Sequence, residues 1–133
     1  MNNMNSLEST KKQPMYWHKR QTIKDIKKQR PFFLNMMVES KRCMVENRMD
    51  QSMNKKAVEQ AIKCEVIHPQ TLTPYNNFTF HTHPHNLPYP SKQDKIQTWD
   101  KLKKEYLVIG VVPTNRIVVY HHADNFENIL AEF

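Results

Sequence analysis

His81 and His83 stand two positions apart, and a proline-rich stretch then leads to Ser91-Lys92-Gln93-Asp94. These are the residues best placed by type and spacing to do chemistry together. Side chains at i and i+2 leave the same face of a β-strand, so the two imidazoles can converge on one ion. Asp94 follows His83 by eleven residues and opens a helix that Ser91 caps. The turn through Pro84, Pro88 and Pro90 can return its carboxylate over the strand end. Two histidines and one carboxylate fill three tetrahedral positions around zinc and leave the fourth for water, as a catalytic site requires.

These groups need a strand, a turn and a helix to hold them, and the patterning supplies all three. Aromatic and β-branched residues over 78–83 predict the strand. The capping pattern Ser91-x-x-Asp94, with Ile96, Trp99 and Leu102 on one side, predicts a helix ending near Glu105. An apolar strand over 106–112, a Pro113-Thr114-Asn115 turn and an antiparallel strand over 116–120 follow, and a short helix over 125–131 closes the chain. Upstream, Pro31 starts an apolar helix through Phe33 and Met37 that ends near Glu39. Cys43, Met44 and Val45 read as a short buried strand and 46–54 as a polar connection. Residues 55–68 read as a helix turning into a strand at about Ile62.

The 133 residues fit one domain, and 38% hydrophobic content with a mean hydropathy of −0.79 demands an economical core. Residues 1–15 read as a disordered tail, 16–30 as a basic accessory helix or arm, and 31–133 as the domain. The net charge of +7 is unevenly spread: residues 1–30 carry +6 and the remainder +1. No apolar run approaches the roughly 20 residues that span a bilayer, and no signal-peptide pattern opens the chain, so no membrane association and a cytoplasmic location are expected. Two cysteines form neither a disulfide framework nor a cysteine zinc site, and Gly110, the single glycine, rules out a glycine-rich phosphate loop.

Taken as one unit, His81-x-His83, seven residues, then Ser91-x-x-Asp94 resembles the signature of the JAMM (MPN+, JAB-domain) zinc metalloproteases, and the likeness extends over about 31–121. The resemblance implies an α/β fold of the α+β type, with a mixed central sheet flanked by helices and a basic N-terminal extension. It implies one zinc per chain, held by His81, His83 and Asp94. Ser91 would steady the water or the developing oxyanion, and an upstream Glu would be the general base that activates a zinc-bound water. Glu39, 42 residues before His81, is the expected base and Glu46 the alternative, while Glu65 lies closer to His81 than the family spacing allows. Arg42 and Glu46 stand where the family has glycines. The implied activity is hydrolysis of a peptide or isopeptide bond at the C-terminal tail of a ubiquitin-like or small sulfur-carrier-like protein, the tail binding as an added strand beside the His-x-His strand. The alternatives are a non-catalytic module recruited to nucleic acid or another polyanion through the basic arm, and an inactive scaffold of the same fold.

Overall fold

The computed structural model describes residues 20–49 and 55–133. The tail expected over 1–15 and the start of the arm lie outside the described residues. Three runs rich in Phe, Val, Ile and Tyr form the sheet: β1 Phe78–His83, β2 Tyr106–Val111 and β3 Arg116–His121, with β4 Ala131–Glu132 beside β3. The order is β1-β2-β3-β4, with β1 parallel to β2 and the other pairs antiparallel. A parallel pair needs a crossover, and the segment carrying Ser91 and Asp94 supplies it.

Both faces of the sheet are covered, so the central strands are apolar throughout rather than alternating. One face packs Phe78, Phe80, Val108, Ile117 and Val119 against helices, and the other groups Leu107, Ile109, Val118, Tyr120 and Phe126 with Trp99. Gly110 permits the close approach of the helical layer, since a Cβ there would lie 2.8 Å from Met37 and 2.9 Å from Phe80. Thus the single glycine serves packing.

The helices are α1 Ile23–Lys27, α2 Arg30–Glu46, α3 Lys55–Ala61 and α4 Lys92–Lys95, the last continuing as a π-helical turn over Ile96–Lys101. Thr22 and Asp25 form a capping box on α1, whose Ile26 is fully buried in the core. Pro31 sits in the first turn of α2 as expected, but the helix does not stop at Glu39. The strand expected at 43–45 is instead the last turn of α2. Phe33, Met37, Ser40 and Met44 are its buried residues, and their 4-3-4 spacing is helical, so that longer period overrides a three-residue apolar run.

Two further expectations change. The helix expected over 125–131 is absent: a 3₁₀ turn His122–Asp124 leads to Asn125 in a left-handed conformation, and the chain then extends into β4. After α3 the chain passes through a 3₁₀ turn, Ile62–Cys64, and only Ile67 makes a strand-like bridge, antiparallel to His81. Cys64 is bonded to Cys43 of α2, a single disulfide between the two cysteines whose role the sequence left open.

Candidate metal centre

His81 and His83 leave the face of β1 opposite Phe80, and both are buried. Asp94 reaches them from the third residue after the Ser91 cap. The Ser91 hydroxyl accepts from the Asp94 N–H at 3.0 Å, and Asp94 Oδ2 accepts from the Ser91 N–H at 2.9 Å, which fixes the carboxylate. The proline-rich turn is held down by the Tyr120 hydroxyl, which donates to the Pro88 carbonyl at 2.7 Å.

The resulting geometry is a triangle. His81 Nε2 and His83 Nε2 are 3.0 Å apart, and Asp94 Oδ2 lies 3.2 Å from the first and 3.4 Å from the second. Ligand atoms 2.0–2.1 Å from a tetrahedral zinc are separated by about 3.3 Å, so the three atoms match one face of such a tetrahedron. His83 Nδ1 lies 2.7 Å from the Leu87 carbonyl, which only accepts. In a neutral ring Nδ1 therefore carries the hydrogen and leaves the Nε2 lone pair for a ligand role, the usual outer-shell arrangement of a metal-binding histidine. His85 grips the same residue from its other side, its Nδ1 accepting from the Leu87 N–H at 3.2 Å.

Charge in the cluster is tightly coupled. Burial opposes ionisation of Asp94, but hydrogen bonds from His81 and His83 and from the Ser91 N–H hold its carboxyl well below the usual carboxylate range. Burial also disfavours a charged His81, yet Asp94 and Glu65 outweigh it and raise its pKa. Burial together with His83 lowers His85 to about 4, which keeps it neutral at pH 7. These residues fit a zinc ion: two imidazole nitrogens and a carboxylate oxygen face one another, and a cation would take the place of the protons these atoms otherwise share.

Of the two carboxylates expected as general base, the structure brings neither to this cluster. Glu39 and Glu46 are exposed on α2 and line neither cavity beside the triangle. Glu65 is there instead. It lines a groove of about 260 Å³ with His81, Asp94 and Gln93, and a second of about 490 Å³ with His83, Asp94 and Ser91. Burial raises its pKa, Asp94 adds to the rise, and the two histidines oppose it. Sequence spacing missed Glu65 because a contact across strands has no fixed separation along the chain. The available signal was the alternation of Ile62, Cys64 and Val66 with Lys63 and Glu65.

The edge of β1, expected to receive a substrate strand, is already engaged. The His68 N–H donates to the Phe80 carbonyl at 3.0 Å and the Thr82 N–H to the Val66 carbonyl at 2.9 Å. A partner strand is therefore excluded from that stretch unless 66–68 moves. Among the described residues a second His/carboxylate group, Glu105, His121 and His122, also gathers at one point. No helix among the described residues is long and apolar enough to cross a membrane. No family model, curated protein or solved structure matches the chain.

Proposed function

We propose that the protein is a zinc-dependent hydrolase of the JAMM type. It would cleave a peptide or isopeptide bond at the C-terminal tail of a ubiquitin-like or small sulfur-carrier-like protein. The observation that carries this reading is the triangle of His81 Nε2, His83 Nε2 and Asp94 Oδ2 with Glu65 beside it. Zinc held there supplies Lewis-acid polarisation and an acidified water.

The chain's own groups do the rest. Glu65 replaces Glu39 as the general base, accepting a proton at its carboxylate and returning it to the leaving amine; its raised proton affinity suits both transfers. The Ser91 hydroxyl accepts from the Asp94 N–H, which leaves its hydrogen to donate toward a developing oxyanion. Leu87, held by His83 and His85, fixes the ring that would bind the ion. Substrate lies along the two grooves that meet at Glu65, Gln93 and Asp94.

Elemental analysis of the purified protein, beside cleavage of fusions carrying a ubiquitin-like tail, tests the proposal. One zinc per chain is expected, lost in His81→Ala, His83→Ala and Asp94→Ala and kept in Glu65→Gln, which loses cleavage. A folded protein that takes up no zinc overturns the reading.

A further inference from the structure

Glu65 has a short span of chain on either side, and each span is anchored to a different part of the molecule. On its N-terminal side, α2 holds Cys64 twice. The buried Ser40 hydroxyl donates to the Cys64 carbonyl at 2.7 Å, and Cys43, three residues further along the same helix, is bonded to Cys64. On its C-terminal side, the Val66 N–H donates to Thr82 Oγ1 at 2.8 Å and the Val66 carbonyl accepts from the Thr82 N–H at 2.9 Å. Thr82 is the residue between the two histidines. The Glu65 N–H itself donates back to the Ile62 carbonyl at 3.0 Å, closing the turn that contains Cys64.

We propose that the Cys43–Cys64 disulfide holds Glu65 in position jointly with the Val66–Thr82 hydrogen bonds, so that the thiol state of the two cysteines sets how firmly the carboxylate stands beside the metal triangle. The inference rests on the hydrolase reading above. The segment before Cys64 is weakly held: Ile62 and Lys63 are exposed, as are Lys55, Lys56, Glu59 and Gln60 of α3, while Ala61 is buried. The ligand triangle does not depend on the bridge. His81 and His83 are fixed by the pairing of β1 with β2, and Asp94 by the Ser91 cap. Reduction would therefore leave the metal ligands in place and release the base. Control by this route separates holding the ion from using it.

The exchange is written with a dithiol as reductant. Its thiolate attacks the half-buried Cys43 sulfur, the Cys43–Cys64 bond breaks, and a mixed disulfide forms. The second thiol of the reductant then displaces Cys43. Two electrons and two protons pass to the protein, giving two cysteine thiols and a cyclic disulfide of the reductant. Cys64, 2% exposed, is shielded from direct attack.

The test is amide hydrogen exchange on the metal-free full chain before and after dithiothreitol, followed by removal of the reductant and zinc loading. The expected result is exchange at Glu65, Val66 and the Thr82 N–H that Val66 accepts from faster by at least about tenfold beyond the common rise that the lost global stability gives the other β1 and β2 amides. Zinc affinity should stay within about threefold. Cleavage should fall toward the Glu65→Gln level through kcat rather than KM, in the range of about 10²- to 10⁴-fold that general-base catalysis supplies. Cys43→Ser should reproduce the reduced state without added thiol. Unchanged exchange at Glu65 overturns the proposal, and so does a rise at Glu65 and Val66 no larger than that of β1 and β2, because the bridge would then be a global staple only. Absence of zinc uptake in both states would instead sink the hydrolase reading while the exchange result still decides the positioning role.

Discussion

Among the described residues, two places bring two histidines and one carboxylate together, and they differ in what already occupies the donor atoms. At His81, His83 and Asp94 the three ligand atoms face one another, with one added donor, the Ser91 N–H, on the Asp94 oxygen. At Glu105, His121 and His122 they are spoken for. Arg20 donates to both Glu105 oxygens, and Asn77 Nδ2 donates to the same carboxylate at 3.1 Å. His121 Nδ1 accepts from the Ala123 N–H at 3.0 Å, leaving the other nitrogen, 3.7 Å from Glu105, with the hydrogen in the neutral ring. His122 stacks on Trp99 with ring centroids 4.1 Å apart. Residue type and proximity are thus shared, and the two clusters differ in whether the ligand atoms face one another or are engaged by other partners, which marks the first as the candidate metal centre and the second as a structural ion pair. A carboxylate that is 4% exposed needs its arginine, and a metal would have to displace it.

The comparison is most sharply broken by substitution at the two clusters. His81→Ala, His83→Ala or Asp94→Ala should weaken zinc binding by more than the roughly 10- to 100-fold typical of losing an outer-shell partner. His121→Ala and His122→Ala should leave stoichiometry and affinity unchanged, as titration calorimetry would read. A second equivalent of zinc lost with His121 would erase the distinction.

Next in size is the base. Glu65→Gln should retain zinc and lower kcat by about 10²- to 10⁴-fold, whereas Glu39→Gln and Glu46→Gln keep wild-type rates. A steady-state comparison of the three decides between the carboxylate that spacing favoured and the one that folding delivers.

Stability gives smaller effects. Breaking the Cys43–Cys64 bridge, which spans 21 residues, should cost about 2–4 kcal/mol in denaturant unfolding. Arg20→Ala should cost on the order of 1 kcal/mol, since Arg20 is 62% exposed while Asn77 still serves Glu105. Zinc affinity at the first cluster should not change in Arg20→Ala.

A pH-dependent effect concerns Lys104, which is buried and donates to the Asn76 carbonyl at 2.9 Å and to Asn76 Oδ1 at 2.6 Å. Burial lowers its pKa from 10.5 to about 8. The unfolded chain then binds more protons than the folded one between those values. The contribution is therefore present above the unfolded pKa and lost as pH falls through the folded one. Stability should rise from pH 8 toward 10 by up to about 1.4 kcal/mol per unit relative to Lys104→Met. Parallel pH profiles of the two proteins would remove Lys104 as the source.

Local pattern was enough where a segment's chemistry is self-contained. The strand Phe78–His83 and its two same-face histidines follow from alternation, and the Ser91/Asp94 capping box forms as its spacing implies. The antiparallel return through Asn115, which takes the left-handed conformation a tight turn needs, is similarly local. Cys43-Met44-Val45 misled because three apolar residues carry no period of their own, and Phe33 and Met37 a turn or more away decide their helical state. Residues 125–131 misled because β3 offered the chain a pairing partner, seen in the Leu130 N–H donating to the Val119 carbonyl at 2.7 Å.

What the sequence determined by itself was the meeting of the candidate ligands, because His81, His83, Ser91 and Asp94 lie within fourteen positions and are joined by a strand, a turn and a capped helix whose geometry is locally encoded. Only the tertiary structure decided which carboxylate stands beside them and what the cysteines do. Glu65 reaches the triangle through Val66 pairing with Thr82, and Cys64 meets Cys43 through the packing of α2. Both are contacts between segments brought together by burial of the core, and burial acts on neighbours in space without regard to their separation along the chain.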